Sequence, residues 1–113
     1  MGYEKDGKDE EGKYMEKWLY VMIIEKSKSF NKVTKAVIER HVANIKDLDD
    51  KGYLELCGVF KGWPGVAGMY ILKTNSYEQA EEFCKAEPLV VEGYATYKLK
   101  ALQVADKENN YLL

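Results

Sequence analysis

The sequence predicts an α+β fold, and three observations carry that prediction. Apolar residues change between a two-residue and a 3.6-residue period in the order strand, helix, strand, strand, helix, strand. Glycine and proline punctuate the joins at Gly52, at Lys61–Gly65 (KGWPG), at Pro88 and at Gly93. The chain of 113 residues is long enough for one hydrophobic core without disulfide or metal support.

Taken in order, residues 1–17 are charged, with Gly2, Gly7 and Gly12 spread through them. They hold too little apolar surface to offset the entropy of ordering, so a flexible or partner-dependent arm is expected, with Tyr14, Met15 and Trp18 as its anchors. Trp18–Glu25 (WLYVMIIE) is short, aromatic and β-branched, as suits a central strand covered on both faces. The first helix spans Lys32 to Gly52, with Asn31 as N-cap and Gly52 as the left-handed residue that stops it. Tyr53–Phe60 alternates as a strand, with Leu54, Leu56 and Phe60 on one face and Tyr53, Glu55, Cys57 and Val59 on the other. The KGWPG turn leads to a strand over Ala67–Thr74. Ser76 opens the second helix, with Gln79 at capping-box spacing and an inner stripe of Tyr77, Ala80, Phe83, Cys84 and Glu87. Pro88 disfavours helical geometry at Glu87 and ends that helix. Gly93 turns the chain into a last strand, Tyr94–Val104, followed by a polar tail from Ala105.

The simplest packing of this order is one four-stranded antiparallel sheet with both helices on one face. That is the ferredoxin-like βαββαβ arrangement, over residues 18–104, with 105–113 as a tail. The second sheet face is then bare, and Tyr20, Met22, Tyr53, Cys57, Tyr70 and Tyr97 are candidates for it, depending on strand register. An apolar patch of that size normally has a partner, and a homodimer packed sheet on sheet is expected.

A formal charge of −2 with no basic run argues against a nucleic-acid partner. Cys57 and Cys84 form no CxxC and have no second histidine near them, which argues against zinc and against a disulfide framework. Each reads as a small buried hydrophobe. No apolar run approaches the ~18 residues of a membrane span and no signal peptide opens the chain, so a cytoplasmic protein without membrane contact is expected. No cofactor is implied.

The first helix carries the single histidine, His41, within a stripe of Val37, Ile38, Ile45 and Leu48. Lys35, Glu39, Lys46 and Asp50 fall on the opposite side. A titratable ring in that stripe is either buried or lines a cleft. Glu87 extends the inward stripe of the second helix, against the same sheet face. Two readings of the pair stand: a core histidine satisfied by a carbonyl, with Glu87 a solvated helix end, or an imidazole poised by a carboxylate as a general base near neutral pH. Cys57 and Cys84 become nucleophiles only if register brings one beside His41. Tyr20, Tyr53 and Tyr94 are possible donors to an oxyanion, though buried tyrosines more often only pack. Arg40 either grips a carboxylate at the pocket mouth or joins a surface ion pair. Gly58 leaves a gap where a backbone or ligand comes close, and Trp63-Pro64-Gly65 either shapes a pocket or makes a plain hairpin.

His41 with Leu48, Gly52-Tyr53-Leu54, Gly58, Ser76-Tyr77-Glu78-Gln79-Ala80, Glu87-Pro88 and Gly93, in this order, resemble the YciI-like (YCII-related) proteins over Trp18 to Val104. The resemblance implies a ferredoxin-like fold paired into a dimeric α+β barrel. It also implies a catalytic dyad of a helix-borne His and an acid before proline, here His41 and Glu87. Glu87 is one methylene longer than the family's usual Asp. Arg, common three residues before the His, is replaced by Ile38, and Arg40 lies about 100° round the helix. The Gly-Pro common after the second strand reads Gly58-Val59. The implied activity is that of a small-molecule enzyme of lyase or isomerase type, acting on a small unsaturated acid by proton abstraction with elimination or isomerisation. The family's assigned chemistry is removal of halide from such acids. His41 would be the base, Glu87 its orienter, and Arg40, Gly58 and Tyr94 the substrate-binding residues. A non-catalytic metabolite-binding module and a structural dimerisation unit are the alternatives.

Overall fold

The computed structural model describes residues 16–113; the arm expected over residues 1–17 lies outside them except for Glu16 and Lys17. The elements are β1 (Trp18–Lys26), α1 (Lys35–Asp50), β2 (Leu54–Val59), β3 (Val66–Leu72), α2 (Tyr77–Ala86), α3 (Pro88–Val91) and β4 (Ala95–Gln103). Short 3-10 turns cover Phe30–Lys32 and Lys107–Leu112. The sheet is antiparallel in the order β2-β3-β1-β4. Each helical crossover therefore skips one strand, and the expected ferredoxin-like βαββαβ arrangement is the observed one.

The core lies between the sheet and the helices. Met22 and Leu72 from the central strands meet Ala80 and Cys84 of α2 with no exposed surface, while Val37 and Leu48 bring down the two ends of α1. Full burial of side chains such as Met22 and Leu72 contributes about 1.5–3 kcal/mol each.

Helix α1 starts later than Asn31 implies. Asn31 sits in the Phe30–Lys32 turn, and the N-cap is Thr34, whose Oγ1 accepts from the Val37 N–H at 3.2 Å. Thr34 is extended, as a cap must be to turn its hydroxyl back onto the first turn. The other end matches expectation. Gly52, at φ +81°, is followed by Tyr53, whose N–H returns to Leu48 O at 2.9 Å, a glycine-ended stop that satisfies the last carbonyls.

Ser76 caps α2 as expected, its Oγ accepting from Gln79 N–H at 3.1 Å, while Gln79 Oε1 reaches back to Asn75 N–H at 2.8 Å. The expected end at Glu87 is also found. The chain does not then stay irregular: Pro88 starts the extra turn α3, because its fixed φ and missing N–H suit a first helical position. The tail is likewise ordered into a turn capped by Asp106, and Lys17 clamps it through Asp106 at 2.9 Å and Glu108 at 3.0 Å.

The faces of the sheet are assigned oppositely to expectation. Tyr20, Met22 and Tyr70 are buried beneath the helices, Cys57 opposite Tyr70 and Tyr97 opposite Ile24 lie on that same face, and Tyr53 packs on Phe83 of α2 at 5.0 Å between ring centroids. The uncovered face carries Leu19, Val21 and Ile23 of β1, Met69 and Ile71 of β3, Leu56 and Leu102. Both faces of β1 are apolar, so alternation alone could not say which one the helices cover. Strand β2 adds a second reason. Leu54 pairs with Leu72 but Leu56 with Ile71, an irregularity at Glu55 that sends Leu54 inward and Leu56 outward instead of to one face.

Candidate functional site

Glu87 owes its position to the residue after it. Pro88 holds Glu87 extended (φ −62°, ψ 125°), so it closes α2 and caps α3 at once. Its side chain is fully buried, and a carboxylate taken out of water needs donors. It has three. Oε2 accepts from the Leu89 N–H at 2.6 Å, Oε1 accepts from the Tyr70 hydroxyl at 3.1 Å, and Oε1 also contacts His41 Nδ1 directly.

His41 leaves about one fifth of its side chain exposed. With Nδ1 turned to the carboxylate, the carboxylate selects the Nδ1–H tautomer and leaves the Nε2 lone pair for chemistry. Tyr70 completes the group. Its hydroxyl is 3.4 Å from His41 Nδ1 and its ring stacks near the imidazole, with centroids 6.4 Å apart and planes 23° from parallel. Burial, and next the negative charge of Glu87, push the Tyr70 phenol well above its ordinary value, so it remains a donor. The Asn44 amide opposes that shift, yet its buried Nδ2 makes no hydrogen bond among the described residues; it faces the phenol without bonding geometry.

His41 borders an open cavity of about 410 Å³, within the size range of small-molecule sites. Tyr70 and Cys57 line it below, Ile38 and Ile45 from α1, and Phe30 and Phe60 at the sides. Gly58 and Gly68 both line it. A Cβ on Gly68 would stand 2.2 Å from the Gly58 carbonyl oxygen, so only glycine lets β2 approach β3 there. The close approach anticipated at Gly58 is thus required by its neighbour; a Cβ on Gly58 itself would meet nothing within 4 Å.

Of the candidate residues, His41 and Glu87 are brought together, and Gly58 lines the cavity. Arg40 and Tyr94 do not line it. Arg40 points to Glu92 at 3.5 Å, and Tyr94 is half-buried, its backbone bonded to Leu89 and Ser27. Tyr20 and Tyr53 pack edgewise or tilted on Tyr77 and Phe83. The tyrosine at the site is Tyr70. Its signal was the run Val66-Gly68-Tyr70-Leu72 on one face of a central strand, where a buried hydroxyl must find a partner. Cys57 reaches the cavity wall, whereas Cys84 is sealed under α2, its thiol pushed up to about 12 by burial. The Trp63-Pro64-Gly65 stretch belongs to the β2–β3 hairpin, with Trp63 set edge-on against Phe60 at 4.8 Å.

No family model matches the chain, and no curated protein matches it in sequence. Among solved structures it is similar to the 5-chloro-2-hydroxyhydroquinone dehydrochlorinase TftG from Burkholderia phenoliruptrix AC1100, determined in complex with 2,5-dihydroxybenzoquinone. The TM-score is 0.58 at 15% identity, covering 80% of this chain and 98% of that one. At this identity the likeness establishes a shared fold.

Proposed function

We propose that this protein is a YciI-like small-molecule enzyme that uses His41 and Glu87 for proton abstraction, followed by elimination or isomerisation, on a small unsaturated acid. One observation carries the reading: the only histidine of the chain is held through Nδ1 by a fully buried carboxylate, at the wall of an open cavity. A structural histidine in the core has no need of an open space beside it. The dehydrochlorinase named for the structural neighbour supports the reaction class, since loss of HCl also removes a proton and a leaving group.

In elimination, His41 Nε2 takes a proton from carbon, the C–H electrons become the new double bond, and the leaving group departs from the adjacent carbon with its bonding pair. In isomerisation, the same proton returns to a different carbon of the delocalised anion. Glu87 stabilises the imidazolium formed in either case and keeps the ring oriented. Tyr70, bonded to the same oxygen, holds the carboxylate in register with the ring.

The apolar uncovered sheet face supports a homodimer packed sheet on sheet, and among the described residues no helix is long and apolar enough to cross a membrane. A cytoplasmic location belongs to the same proposal. His41→Ala should reduce kcat by about 10²–10⁴ on a turned-over acid while the protein keeps its fold and its dimer. Unchanged turnover would refute the base role. Saturable binding of an acid with no product from the wild type would make the protein a metabolite-binding module.

A further inference from the structure

We infer that Lys26 and Lys61 form the anion-recognising end of the His41 cavity, so that the ligand is a flat carboxylate lying with its charge at the lysines and its reacting carbon at the imidazole; this rests on the reading of His41 as the base. Among the described residues that line the cavity they are, apart from His41, the only ionisable cations, and none is a carboxylate. Glu87 lies behind His41 and Tyr70, fully buried. Neither lysine is in an ion pair among the described residues, whereas Arg40, the cation that sequence pointed to, is engaged with Glu92. Lys26 Nζ is 5.3 Å from the centroid of the Phe30 ring, which keeps the ammonium against the cavity wall.

The register places the two lysines at one end of the cavity. Tyr70 pairs with Met22 on β1 and with Cys57 on β2. Lys26 and Lys61 each follow those partners by four residues, Lys26 as the last residue of β1 and Lys61 in the turn just past β2, toward the same end of the sheet. Both line the same cavity as His41 and Tyr70, so a carboxylate at the lysines and a reacting carbon at the imidazole belong to one elongated ligand. Phe30, Phe60, Ile38 and Ile45 offer the flat apolar walls that such a body fits.

Both lysines are exposed, so each contact is worth little on its own, and the pair together should change affinity by about tenfold. The probe is trans-cinnamate, with cinnamamide as the uncharged molecule of the same shape, titrated by calorimetry or ligand-observed NMR into the full-length chain. The wild type should bind cinnamate about tenfold better than the amide, with the preference shrinking as salt rises. A Lys26→Met, Lys61→Met double variant should lose that preference, and His41→Gln should keep it. Equal binding of acid and amide, no binding of cinnamate, or a preference that survives in the double variant would overturn the inference. The two readings fail separately. Loss of turnover in His41→Gln with a lysine-independent preference removes the anion grip alone, and a lysine-dependent preference with full turnover in His41→Gln removes the base alone.

Discussion

Helices α1 and α2 cover the same face of one sheet, yet what lies beneath them differs. Under α2, Ala80 and Cys84 let the helix sit close, and Met22 and Leu72 are sealed from water. Under α1, Val37 and Leu48 are buried at the ends, while Ile38, His41 and Ile45 between them border open space over Gly68. The polar groups follow this division. The inward thiol of α2 is buried, whereas the cavity beneath α1 has an imidazole, with a phenol and a carboxylate bonded to one another beside it. A site arises here where the core leaves open space and a buried acid fixes the ring beside it.

The largest difference should appear in packing. Leu72→Ala removes a side chain with no exposed surface and should cost about 2–5 kcal/mol, whereas Ile45→Ala, already at the edge of a cavity, should cost less than half as much. Urea denaturation of both variants measures this, and equal losses would mean that the α1 side is packed as tightly as the α2 side.

A smaller effect is expected from Tyr70→Phe. It removes one of three donors to a buried carboxylate and should destabilise by about 1 kcal/mol, with a fall in kcat larger than any change in KM. A variant with full stability and full kcat would detach Tyr70 from the site.

The thiols give the finest contrast. Cys57, at the cavity wall, should react with iodoacetamide in the native protein and be shielded by a bound acid, while Cys84 should react only on unfolding. Burial raises the Cys84 thiol from 9.0 to about 12, so both folded and unfolded states keep the proton below pH 9 and Cys84 adds no pH dependence there. Above pH 9 the unfolded chain loses that proton first, and stability should fall as pH rises toward 12. Chemical denaturation across that range, compared with Cys84→Ala, isolates the contribution.

Much of this was legible in the sequence. The stripe around His41, the stop at Gly52, the Ser76 cap and the arrest at Pro88 are local signals, and they suffice for two helices that converge on one pair, His41 and Glu87. What was not legible depends on which way a strand faces. Tyr70 is a candidate for the bare face that only register can place, because both faces of β1 are apolar and β2 changes parity at Glu55. Lys26 follows the first strand expected over Trp18–Glu25 and Lys61 belongs to the KGWPG turn, and only the pairing of β1, β3 and β2 brings them to one cavity. The N-cap of α1 is Thr34 and not Asn31, since either residue type caps a helix and the extended backbone at Thr34 is what identifies it.

Because the chain has one histidine, its ring nitrogens can be observed without ambiguity. Nitrogen-15 NMR of the imidazole near neutral pH tests most directly whether Glu87 holds the ring ready to accept a proton. A protonated Nδ1 with a lone pair on Nε2, and an Nε2 signal that moves when cinnamate is added, is the predicted result. A proton on Nε2, or an Nε2 signal indifferent to any acid that binds, would contradict it.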